Sequence, residues 1–168
     1  MSPLSWRAAL TLTLATLSEP APRVAIVGIG HELRGDDAAG LLVAQGLQPL
    51  ADERLLVIAA GHAPENHTGR IRRHQPHLII LIDAAQLDAP PGTIHWLTAA
   101  ATSGLSASTH TLPPYMLTRY LEAELGCVVA LLGVQPAGTE LGAPLSRPVA
   151  HAVSELVTGL QASLAPAA

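Results

Sequence analysis

The run Val24-Ala25-Ile26-Val27-Gly28-Ile29-Gly30-His31-Glu32-Leu33-Arg34-Gly35-Asp36-Asp37-Ala38-Ala39-Gly40 joins an apolar segment, a glycine turn, two adjacent carboxylates and the start of a second apolar pattern. Arg23 to Val27 predicts a buried strand stopped by glycine. Ala38, Leu41, Leu42 and Gln45, at i, i+3, i+4 and i+7, predict the helix that follows. Strand, turn and helix therefore open the fold, and the same alternation recurs downstream.

Arg54 to Ala59 reads as a second strand ending at Gly61, followed by a polar loop and a short helix from Asn66 to His74. The third strand, His77 to Asp83, is apolar until its last residue, as expected of a strand covered on both faces. Behind the turn Pro90-Pro91-Gly92, Thr93 to Leu97 follows too closely for a crossover and is expected at an edge or antiparallel. Pro113-Pro114 opens a helix with Leu117, Tyr120, Leu121 and Leu125 on one face, and Gly126 stops it before the strand Cys127 to Gly133. A Gly- and Pro-rich loop, Gln135 to Arg147, leads to a last helix from Pro148 with Val149, Ala152, Val153, Leu156 and Leu160 inward. This pattern predicts a three-layer α/β/α sandwich around a mostly parallel, twisted sheet of about five strands. One domain is expected over residues 1–168, with 1–20 as an N-terminal helical extension and 165–168 as a frayed tail.

Composition narrows the function classes. The net charge is −4, and the nine basic residues are scattered except for Arg70-Ile71-Arg72-Arg73. There is thus no broad electropositive surface for a nucleic acid. Phe is absent and only Trp6, Trp96, Tyr115 and Tyr120 are aromatic, which removes the stacking platforms of single-strand binders. The lone Cys127 permits neither an intrachain disulfide nor a cysteine-based zinc cage and suits a reducing, cytoplasmic location. Ala8 to Leu17 has the look of a signal-peptide core, but Ser18-Glu19-Pro20-Ala21-Pro22-Arg23 is a poor cleavage region, so Leu4 to Leu17 is read as a helix. No stretch approaches the roughly 20 apolar residues of a membrane span.

In open α/β sheets, ligands sit beyond the carboxyl ends of the strands. Gly28 to Asp37, the loop from Gly61 to Asn66, and Asp83 all leave strands at that edge. Gly28-Ile29-Gly30 could be a nucleotide turn, but the third glycine is missing, and Asp36 and Asp37 would repel a phosphate at the helix start. One aspartate can cap the helix; the second needs another reason. Asp83 could merely cap a turn, but with Asp37 at the same edge and one histidine it forms a ligand set suited to a divalent ion with open positions. Position alone does not choose among His31, His62 and His110, while His74, His77, His95 and His151 fall on segments where surface exposure is expected. No Gly-x-Ser-x-Gly elbow is present, and Cys127 reads as an inert core thiol.

These residues resemble the [NiFe]-hydrogenase maturation endopeptidases, particularly those that process the large subunit of the hydrogenase 3 (formate hydrogenlyase) type. Gly28-Ile29-Gly30 through Gly40 is similar to the family's opening motif, and Ala63-Pro64-Glu65-Asn66 to the loop after its second strand. Ile82-Asp83-Ala84, Thr109-His110-Thr111-Leu112-Pro113 and Leu132-Gly133-Val134-Gln135-Pro136 match in order and spacing. Two departures stand out: His31 replaces the usual Asn, and Ala59-Ala60 replaces the usual Asp-Gly.

The resemblance implies an endopeptidase that removes a C-terminal peptide from a hydrogenase large-subunit precursor after nickel insertion. The nickel would be carried by the precursor and would serve recognition. It further implies that Asp37, Asp83 and His110 contact the metal, with Asp37 and Asp83 catalytic and Gly28, Gly30, His31, Asp36 and Gly61 around the substrate cleft. Metal-assisted and aspartic-type hydrolysis both remain open. A non-cleaving docking factor of the same fold is the alternative, for which His31 and Ala59-Ala60 would be the marks of drift.

Overall fold

The computed structural model describes residues 2–104 and 113–165. In chain order the main elements are α1 (Trp6–Thr16), β1 (Val24–Ile29), α2 (Ala39–Leu47), β2 (Leu55–Gly61), α3 (Thr68–His74), β3 (Leu78–Ala84), β4 (Ile94–Thr98), α4 (Pro114–Leu125), β5 (Val128–Val134) and α5 (Arg147–Leu164). The five strands lie in the order β2-β1-β3-β5-β4. All pairings are parallel except that of the edge strand β4 with β5, as the short link before it requires.

Alternation along β1 and β3 divides the core. Val24 and Ile26 of β1 and Leu78, Ile80 and Ile82 of β3 face one layer, where Trp6 and Leu10 of α1, Val43 and Leu47 of α2, and Leu156 of α5 cover them. Ala25, Val27, Ile79 and Leu81 face the other layer, beneath Ile71 of α3 and Leu117 and Leu121 of α4. Every residue of β3 is buried, so the continuous apolar run reflects cover on both faces. The three-layer sandwich follows.

The crossover from β1 to β2 passes through α2 on one face, and that from β2 to β3 through α3 on the other. The carboxyl ends of β1 and β3 therefore flank the point where chain direction divides, which is where such sheets open a crevice.

Three local expectations are corrected. β1 does not stop at Gly28 but runs to Ile29, because Gly28 keeps its ladder partners Ala59 and Ile82; the chain turns at Gly30. The inner face of α2 is Gly40, Val43, Ala44 and Leu47 rather than the stripe through Leu42 and Gln45. This register follows from Gly40, where an added Cβ would overlap the carbonyl oxygens of Ile82 and Ile29, so only glycine lets the helix seat on the sheet. Tyr120 is exposed on α4, which instead buries Thr118 against Thr102.

Candidate active site

A 3-10 turn, Gly35–Ala38, links β1 to α2 and carries both aspartates of the opening run. Neither is a helix cap by its side chain, contrary to the sequence expectation, and the two side chains serve different ends. Asp36, 1% exposed, reaches the loop before α5. Its Oδ2 accepts from the N–H groups of Ala137 (2.8 Å) and Gly138 (3.3 Å) and from the Ser146 hydroxyl (2.8 Å), and its Oδ1 accepts from the Ser146 N–H (2.7 Å). Burial alone would raise its pKa, but these donors to the charged form outweigh it and hold the carboxyl below its ordinary value. Asp36 is a fixed anion that staples two loops.

Asp37 turns toward the crevice. Its Oδ2 accepts from the His31 N–H at 3.0 Å, while its backbone carbonyl abuts Gly30 so closely that a Cβ there would overlap it. Asp83, at the exit of β3, is 5% exposed. Burial pushes the Asp83 carboxyl well above the usual carboxylate range, the charge of Asp37 adds to the effect, and the Ala84 N–H opposes it without cancelling it. Among the described residues, the buried side-chain oxygens without a hydrogen-bond partner are Oδ1 of Asp37 and Oδ1 of Asp83. Buried polar atoms are rarely left in this state. Two such oxygens on mutually repelling carboxylates can hold a shared proton or accept a cation, and nothing in packing calls for them.

The remaining predicted residues are distributed around this pair. Gly28 lies inside β1, where an added Cβ would overlap the Gly40 carbonyl, so its position is explained by helix–sheet packing. The Gly30 N–H donates to the Gly61 carbonyl at 2.9 Å and ties the ends of β1 and β2 together. The His31 ring stacks on His62, with centroids 5.4 Å apart and planes at 26°; its Nδ1 accepts from the Leu33 N–H at 3.1 Å. That stack was not foreseeable, since the two rings lie on different loops and meet only because β1 and β2 are neighbours. His110 lies outside the described residues. Among the described residues, no group of three His, Cys, Asp or Glu side chains is placed to hold a metal ion.

Three histidines expected at the surface are instead half-buried, His95 on β4 and His74 and His77 at the opposite edge. His74 Nε2 lies 3.1 Å from the Val24 carbonyl and 3.3 Å from that of Arg54, and His77 Nδ1 accepts from the Arg23 N–H at 2.9 Å. They satisfy backbone groups where strands begin. Cys127 is half-buried, and burial together with the Glu122 charge pushes its thiol up, as suits an inert side chain.

The sequence pattern of the HycI hydrogenase maturation proteases matches residues 42–162 of this chain. The chain belongs to the hydrogenase maturation protease family. A relative from Methanocaldococcus jannaschii is 32% identical over 146 residues, covering 82% of this chain and 86% of its own. The hydrogenase 3 maturation protease of Escherichia coli strain K12 is 29% identical over 134 residues, covering 79% of this chain and 85% of its own. The crystal structure of the [NiFe] hydrogenase maturation protease HycI from Thermococcus kodakarensis KOD1 superposes with a TM-score of 0.80 at 30% identity, over 91% of this chain and 99% of that one. As a hydrogenase maturation protease, the chain is a peptide-bond hydrolase, and the carboxylate pair at the β1/β3 crevice is its candidate catalytic centre. Among the described residues no helix is long and apolar enough to cross a membrane.

Proposed function

We propose that this hydrogenase maturation protease removes a C-terminal peptide from the nickel-loaded precursor of a [NiFe]-hydrogenase large subunit, with Asp37 and Asp83 as its catalytic carboxylates. The observation that carries this reading is the pair of buried, unpartnered oxygens on Asp37 and Asp83 at the β1/β3 crevice. Peptide hydrolysis needs a base for the attacking water and help for the oxyanion. Asp37 is oriented to be that base, because the His31 N–H fixes Oδ2 and leaves Oδ1 free to take a proton from water.

The nickel travels with the precursor and is part of the substrate. Asp37, Asp83 and, by family resemblance, His110 would contact it. A divalent cation there neutralises the carboxylates and polarises a carbonyl oxygen. Cytoplasmic location accords with the lone cysteine.

The titration of Asp83 favours a second reading of the chemistry. Burial and the Asp37 charge favour the protonated form of Asp83, the form that would donate to the scissile carbonyl oxygen while Asp37 accepts from water, as in an aspartic dyad. Nickel then acts in recognition only.

Incubating the purified protein with large-subunit precursor, with and without nickel, and following the precursor by mass spectrometry tests these readings. Nickel-dependent loss of a C-terminal peptide is expected. Equal processing of zinc-loaded and nickel-loaded precursor would remove nickel as the recognition element. An unchanged mass despite complex formation would establish the non-cleaving docking factor instead.

A further inference from the structure

The Asp36 staple has a second consequence, on the outer surface of the two loops it joins. Leu33 and Leu141 stand on these loops 59% and 67% exposed, and Leu141 is the most exposed large apolar side chain among the described residues. The two loops are bonded to each other: the Gly142 N–H donates to the Leu33 carbonyl at 2.8 Å, and the Ala143 N–H donates to the Glu140 carbonyl at 3.1 Å, closing a turn with Leu141 at its tip. Beneath this turn, the Asp36 N–H donates to the Gly138 carbonyl at 3.0 Å, in addition to the bonds its carboxylate accepts. At the start of the same loop Gln135, 4% exposed, accepts from the Leu87 N–H at 2.6 Å. A loop that composition suggests is loose is therefore pinned at both ends and in its middle.

Single exposed leucines are ordinary. Two on bonded, immobilised loops are different, because their positions are fixed while their side chains contribute little to the core. Preorganised apolar anchors of this kind are what protein interfaces use, since little ordering remains to be done on binding. The local charge narrows the partner. Exposed Glu32 precedes Leu33 and exposed Glu140 precedes Leu141, and half-buried Arg34 is the one Lys or Arg in residues 31–35 and 136–146. Each leucine thus has an exposed carboxylate as its preceding chain neighbour, while Arg34 is half-buried and the exposed Arg147 belongs to the start of α5.

We propose that Leu33 and Leu141, bordered by Glu32 and Glu140, dock an apolar segment flanked by basic residues on the body of the protein substrate, and that Asp36 sets this docking point at a fixed offset from Asp37. The proposal rests on the reading of this chain as a precursor-processing peptidase, and it assigns the surface that holds the precursor while its tail reaches the carboxylates. Leu33 lies four residues before Asp37, and the Asp37 N–H donates to the Arg34 carbonyl at 3.0 Å. The anchor lies in the turn closed by the Arg34 N–H to the His31 carbonyl at 3.1 Å, and the candidate catalytic residue in the turn that follows it directly.

The test is a calorimetric titration of the full-length protein with nickel-loaded large-subunit precursor, run beside a processing assay over a range of precursor concentrations. For Leu33→Ser/Leu141→Ser the dissociation constant and the half-saturating concentration should each rise at least roughly tenfold, with the maximal rate kept. Melting should be unchanged, because both leucines already stand in water. Glu32→Lys/Glu140→Lys should weaken binding in the same assay, and Leu141→Ser alone should give an intermediate loss. Wild-type affinity in the double-serine variant, or no precursor binding by the wild type, overturns the docking site. Unaltered binding by the lysine variant overturns its basic-flanked occupant. Precursor that binds through the leucines but is not cut overturns the peptidase reading and leaves the docking site standing; precursor cut with unaltered affinity does the reverse.

Discussion

Asp36 and Asp37 are adjacent, buried and chemically alike, yet the fold gives them different hydrogen-bond partners. Asp36 is saturated with donors, and its loss leaves those donors unpaired. Asp36→Ala should cost about 2–3 kcal/mol in urea denaturation, with Asp36→Asn recovering part of it. Because its pKa is lowered by folding, its contribution is complete above the unfolded value and disappears as pH falls through the folded one. Asp83 behaves in the reverse sense. Its pKa is raised by folding, so between the unfolded and folded values the unfolded chain has released a proton that the native state still holds, and stability falls as pH rises. Melting curves from about pH 4 to about pH 8 should therefore show Asp83→Asn gaining on the wild type as pH increases. Replacing Asp37 with Asn, Asp83 with Asn or His110 with Ala, one at a time, should each lower the processing rate at least roughly a hundredfold. Near-normal precursor cleavage by all three would remove the proposed centre.

At the scale of elements, the site depends on how closely α2 approaches the sheet. Gly40 sits against the carbonyl oxygens at the ends of β1 and β3, the strands that deliver Asp37 and Asp83. Gly40→Ala must push the helix outward, carrying the 3-10 turn with it. A loss of about 1–3 kcal/mol is expected by denaturant titration, together with a processing rate that falls by more than the unfolded fraction explains. Gly28, opposite Gly40 across the same contact, is explained by this packing alone. The glycines of the opening run thus bear on the candidate chemistry by setting a distance. The loop before α5 shows the same logic: its glycines and prolines announce irregular backbone, and Asp36 and Gln135 make that backbone rigid.

At the scale of the molecule, the strand order β2-β1-β3-β5-β4 brings together residues separated by long stretches of chain, and α1 helps close the layer beneath α2 and α5. Trp6, 4% exposed, sits over Gly159 of α5, where a Cβ would collide with its ring, and its indole N–H donates to Glu155 at 3.0 Å. Trp6→Ala should destabilise the protein by about 3–5 kcal/mol in thermal or urea unfolding. The N-terminal helix is in this respect part of the core, more than the term extension suggests.

Periodicity, turn residues and the apolar run of β3 were enough to determine from sequence an α/β sandwich, its edge strand, and the sheet edge where Asp37 and Asp83 would meet. These are local properties, set by side chains within a few residues of one another. Family resemblance added His110, which lies outside the described residues. Family resemblance also singled out Asp37; only the tertiary structure decided that Asp36 is a staple between two loops, that His31 stacks on His62, and that Leu33 and Leu141 stand on bonded loops. Each of those outcomes depends on contacts between distant segments, such as Asp36 with Ser146. Spacing along one chain carries no record of which donor will fill which acceptor.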